Sequence, residues 1–138
     1  MTDLVISLLQ RPAPAGDNSR LLLFGIRRMA AGGLNDAHAA HAFFISFGLA
    51  YRRPLVLLRA LMAEMSRAAS GKIMVAPCCC PRMTAAESAV MEAISTEDRH
   101  TAHDLLSATL NVDNCVGALM SAEAVGQAFA DLGRPLSA

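Results

Sequence analysis

Cysteine offers this chain the most chemistry, and three of its four copies stand side by side at Cys78, Cys79 and Cys80, with the fourth at Cys115. In an extended segment Cys78 and Cys80 point to one side and Cys79 to the other. Such a Cys-x-Cys pair can present two thiolates to a soft transition metal such as Zn²⁺ or Cu⁺. A metal centre needs two further ligands, for which Cys115 and one of the four histidines are candidates, although their spacing matches no zinc or iron–sulfur pattern. The same run also reads as a thiol-redox site of Cys78, Cys79 and Cys80: it leads into a helix N-terminus and Arg82 adds positive charge, and both favour thiolate over thiol. Against both stands simple packing, because free cysteines behave as small, well-buried apolar side chains.

A second lead is a repeated Asp-x-His-x-x-His pattern, first at Asp36, His38 and His41, then at Asp98, His100 and His103. Histidines at i and i+3 lie on one side of a helix, a spacing that can hold a divalent ion. Glu97 and His100 add one Glu-x-x-His, but Asn35 stands where a second one requires Glu, so a carboxylate-bridged di-metal site does not follow. On the helix that carries the second copy of the pattern, the apolar side is Ala102, Leu105, Leu106 and Thr109, which turns His100 to water and leaves His103 at the boundary. There is no glycine-rich phosphate loop, no Gly-x-Ser-x-Gly elbow, no haem-attachment motif and no paired-carboxylate signature. These absences favour a binding protein over an enzyme.

The elements that must position these residues are helices. Alanine and leucine dominate and aromatics make up 4% of the 138 residues, which favours helix over pleated strand. The expected fold is all-α: a single domain spanning residues 1–138, built as a compact bundle of about five to six helices. Residues 1–18 serve as an N-terminal arm and linker, with residues 2–10 either a short helix or an extended arm. Asp17 or Asn18 caps a first helix from Ser19 to Ala31, which stops at Gly32 and Gly33. Asn35 or Asp36 caps the next, over residues 37–50, which is apolar all round as a central or interface helix is. Pro54 belongs in the first turn of a third helix from Arg53 to Ala69, ended by Gly71. One extended, rigid Pro/Cys-rich crossover covers residues 72–83. Thr84 and Glu87 then form a capping box that starts a fourth helix at Ala85. Ser95 or Thr96 caps a fifth helix ending near Leu110, with Glu97 and Asp98 in its first turn, and a last helix runs from Asn114 to Leu132 with a potential break at Ser121.

Read in order, LLLFGIRRMAAGGLNDAHAAHAFF (21–44), YRRPLVLLRALMAEMS (51–66), APCCCPRMT (76–84) and DLGRPL (131–136) resemble a small uncharacterised bacterial family, a domain of unknown function. The resemblance covers most of the chain from about Arg20 onward. It implies a helical fold and no assigned activity or catalytic residue.

An apolar fraction of 54% is high for a water-soluble monomer, yet the longest weakly polar stretch, residues 37–51, is too short for the roughly 20 residues of a membrane span. The N-terminus lacks the basic region of an export signal, which points to the cytoplasm. The surplus apolar surface is then expected in a homodimer interface at Phe43, Phe44, Ile45 and Leu49. Net charge is zero, but residues 1–82 hold ten basic side chains against four acids, and residues 83–138 hold two against eight. That contrast suits the docking of two halves or two subunits better than a nucleic-acid surface, which needs its arginines gathered on one face.

Overall fold

The computed structural model describes residues 9–136. The expectation for residues 2–8 therefore lies outside the described residues. Within them lie six α-helices: α1 (Asp17–Gly32), α2 (Ala37–Phe47), α3 (Arg52–Ala68), α4 (Ala85–Ser95), α5 (Arg99–Leu110) and α6 (Val116–Asp131). The all-α reading holds, with one addition. Leu9–Pro12 (β1) pairs antiparallel with Arg82–Thr84 (β2), and an extra residue between Leu9 and Arg11 makes a bulge.

Leu55, Leu58, Leu61 and Met65 recur at helical spacing and bury one stripe of α3, which packs along α6 where small residues such as Ala118 and Ala122 let the two backbones approach. Phe43 and Phe47 each meet Phe129 edge to face, with ring centroids 6.0 and 5.1 Å apart, joining α2 to α6. Gly25 of α1 lies where Leu58 and Phe43 cross it, and an added Cβ would sit 2.9 Å from Leu58 Cδ2 and 3.0 Å from Phe43 Cε1, forcing those side chains to shift. The two charge-contrasting halves dock inside one chain: Arg27 pairs with Glu87 and Arg53 with Asp131.

Several boundaries differ from those expected. Gly16, not Asp17 or Asn18, caps α1, because Asn18 is engaged with the other end of the chain, donating to the Pro135 carbonyl and accepting from Arg134. The second helix stops at Phe47, and a 3-10 turn at Gly48–Ala50 opens with Gly48 at φ 65°. Helix α3 ends at Ala68 rather than at Gly71: Ala69 turns extended, and Ser70 bonds the carbonyls of Leu110 and Asn111. Ser95 or Thr96 does not cap α5. The Ser95 hydroxyl donates back to the Glu92 carbonyl and finishes α4, while the Asp98 carboxylate accepts the His100 amide and the Thr101 hydroxyl. Glu97 and Asp98 therefore precede the helix instead of occupying its first turn. The last helix runs unbroken through Ser121.

Candidate functional site

The joint between α3 and α4 is where buried polar chemistry concentrates. Thr84 and Glu87 do form the capping box: Glu87 N donates to Thr84 Oγ1 (3.1 Å) and Thr84 N donates to Glu87 Oε1 (2.9 Å). Glu87 does more than cap. It is 2% exposed, and its carboxylate takes a bidentate grip from Arg27 of α1, with Nε to Oε2 at 2.8 Å and Nη2 to Oε1 at 3.0 Å. Ala76 N adds a bond to Oε2 at 3.1 Å.

Arg27, 4% exposed, also donates to the Cys80 carbonyl (Nη1, 2.8 Å) and the Arg82 carbonyl (Nη2, 2.8 Å). A guanidinium suits this work because its planar fork matches a carboxylate while other N–H groups stay free for carbonyls. The Glu87 hydrogen bond raises the Arg27 pKa, outweighing burial, which acts the other way. The Thr84 hydroxyl donates to the Met74 carbonyl at 2.8 Å, so Met74, Ala76, Cys80 and Arg82 are all tied to one buried clamp.

Beyond the clamp, the cysteine run is not extended throughout. Cys78 and Cys79 form a turn, and Cys79 adopts φ 72°, a left-handed conformation that a residue with a Cβ rarely takes. The turn reverses the expected alternation: the Cys79 thiol donates to Cys78 Sγ across 3.8 Å. Cys79 is exposed, and Cys78 and Cys80 are half-buried. Arg28 pairs with Asp36, and its positive charge acts on the Cys78 thiol. The positive charges of Arg27 and Arg28 together oppose a cationic ligand there.

Cys115 is buried at the start of α6. Its amide donates to His103 Nε2 at 3.4 Å and its thiol approaches the His103 carbonyl at 3.8 Å. Burial pushes the thiol up, and the imbalance of contacts leaves the imidazole facing the amide instead of the sulfur, so this Cys–His neighbourhood is a helix start rather than an activated nucleophile.

His38 and His41 are exposed on α2, and exposed His100 lies 3.4 Å from Asp104 within α5. Helices α2 and α5 are not among the well-packed pairs, and among the described residues no three His, Cys, Asp or Glu side chains gather to hold a metal ion. The repeat has a plainer origin. Asp36 accepts from the Ala39 amide and Asp98 from the His100 amide, so each Asp-x-His marks a carboxylate capping a helix. The Arg28 hydrogen bond draws the Asp36 pKa down to about 2.

On α2 Phe43 packs fully inside the chain's own core, whereas Phe44 and Ile45 of α2 and Leu49 of the turn after it remain 43%, 69% and 92% exposed. The candidate interface is therefore reduced to those three. A cleft of about 700 Å³ opens between α1, α3 and α4, walled by Met29, Met62, Met65, Ile73 and Val90, with Lys72, the chain's one lysine, on its border. Sequence reasoning missed both the cleft and Arg27. The Thr84–Glu87 spacing was the available signal for the clamp, but it does not reveal a partner 60 residues earlier.

These features define a small helical domain whose α3–α4 joint is held by a buried ion pair. Residues 4–134 match the model of a family described as a family of unknown function, DUF6628, and the chain belongs to that family. No curated protein and no solved structure matches it. No helix of the described residues is long and apolar enough to cross a membrane.

Proposed function

We propose that this chain is a non-enzymatic cytoplasmic interaction module that pairs with a second copy of itself through the exposed face of α2 and the turn that follows. The observation that carries the reading is the exposure of Ile45 and Leu49 beside Phe44. Exposed apolar side chains of this size, close together along the chain, mark association surfaces. A second copy fits because residues 37–50 contain no Asp, Glu, Lys or Arg, so a two-fold contact brings no like charges together. Reduced cysteines suit a cytoplasmic setting.

Light scattering across a concentration series is expected to give a dimer. Because a two-fold interface counts each substitution twice, and burying one such side chain is worth about 1.5–3 kcal/mol, Ile45→Asp or Leu49→Asp should weaken pairing by at least about 100-fold while leaving helical content unchanged. A wild-type protein that stays monomeric at high concentration would sink the proposal.

A further inference from the structure

We propose that Cys78 and Cys79 form a reversible oxidation site, in which a hydroperoxide closes a disulfide between these neighbouring residues while Cys80 and Cys115 take no part. This goes beyond pairing through α2 and is independent of it. The left-handed Cys79 places on one side two sulfurs that an extended chain sends to opposite sides, 3.8 Å apart. The turn is an exposed tip on a fixed base, since Arg27 holds the Cys80 carbonyl immediately after it and Glu87 holds the Ala76 amide before it. Cys79 is open to solvent, Cys78 is half-buried, and Cys115 is buried behind its contacts to His103.

The chemistry balances as follows. The exposed Cys79 sulfur attacks the terminal oxygen of the hydroperoxide, the O–O bond breaks, an alcohol leaves and Cys79 becomes a sulfenic acid. The Cys78 sulfur then attacks the Cys79 sulfur. The S–S bond forms, the S–O bond breaks, and the hydroxyl leaves as water with the proton from Cys78. Two thiols and one hydroperoxide give one disulfide, one alcohol and one water. Adjacent Cα atoms are about 3.8 Å apart, below the roughly 4.4–6.8 Å that disulfides normally span, so the ring is strained and readily reopened by a dithiol.

The test uses the whole reduced chain, one equivalent of cumene hydroperoxide, and N-ethylmaleimide added after unfolding, read by intact mass and peptide mapping. The four alkylatable thiols should fall to two, with the link mapped to Cys78–Cys79, and dithiothreitol should restore all four. Cys80→Ser should still lose two thiols on oxidation. Cys78→Ser and Cys79→Ser should each form no intrachain link. The proposal is overturned by a link that includes Cys80, by links between chains, by sulfinic acid at Cys79 without a link, or by four thiols that survive the oxidant.

Discussion

The α3–α4 joint and the α2 face invert the usual distribution of side chains in opposite ways. At the joint, a charged pair is buried and each of its polar neighbours has a partner; among the described residues no buried side-chain nitrogen or oxygen lacks a hydrogen bond. On α2, apolar side chains stand in water. The polar groups of the joint are satisfied within the chain, whereas the apolar side chains of the α2 face are left exposed, and the proposed pairing rests on that difference.

Breaking the joint should have the largest effect. Glu87→Gln leaves Arg27 buried without its counter-charge, and the expected loss is about 3–5 kcal/mol by urea unfolding. Replacing both partners, as Arg27→Met with Glu87→Leu, often restores stability in a buried pair. Here it should not, because the Cys80 and Arg82 carbonyls and the Ala76 and Thr84 amides lose their partners together. Full recovery in the double variant would reduce the clamp to an ordinary ion pair.

A smaller loss, about 1–2 kcal/mol, is expected for Thr84→Ala, which removes the cap of α4 and the bond to Met74 together. Asp36 sharpens the comparison through pH. Its pKa is lowered by the Arg28 hydrogen bond, so between about pH 4 and pH 2 the unfolded chain binds the proton more readily than the folded one. The stabilisation is present above about pH 4 and is lost on acidification towards about 2. Asp36→Asn should flatten that part of a pH–stability curve. The smallest effect on folding belongs to the α2 face: Ile45→Asp should change monomer stability by no more than about 0.5 kcal/mol, measured below the dimer dissociation constant. A large loss there would mean that the side chain is packed within the protomer.

The helices were legible because α3 carries a clear apolar stripe and because Thr84 and Glu87 announce the start of α4. Where several capping residues crowd together, as in Ser95, Thr96 and Asp98, local pattern does not choose among them. The choice falls to Asp98 because Ser95 is still inside α4. Helix α2 carries apolar residues all round, so its own pattern does not say which side faces inward; Phe43 does because it packs on Phe47 and Phe129. The short pairing of Leu9–Pro12 with Arg82–Thr84 joins segments some 70 residues apart in the chain, and neither is long enough to show a strand period. The left-handed Cys79 breaks the alternation on which the Cys-x-Cys reading rested. Arg27 looked like one more member of a basic half, and only the fold gives it a partner.

The 60-residue separation of Arg27 and Glu87 also assigns the clamp a place in time. Closing so long a loop costs chain entropy, and stripping water from the charges is unfavourable until the surrounding helices exclude it. The clamp is therefore expected to form after the rate-limiting step of folding and to slow the reverse reaction. Stopped-flow measurements on Glu87→Gln should show faster unfolding with little change in the folding rate, so that the joint governs how long the folded chain lasts rather than how quickly it is made.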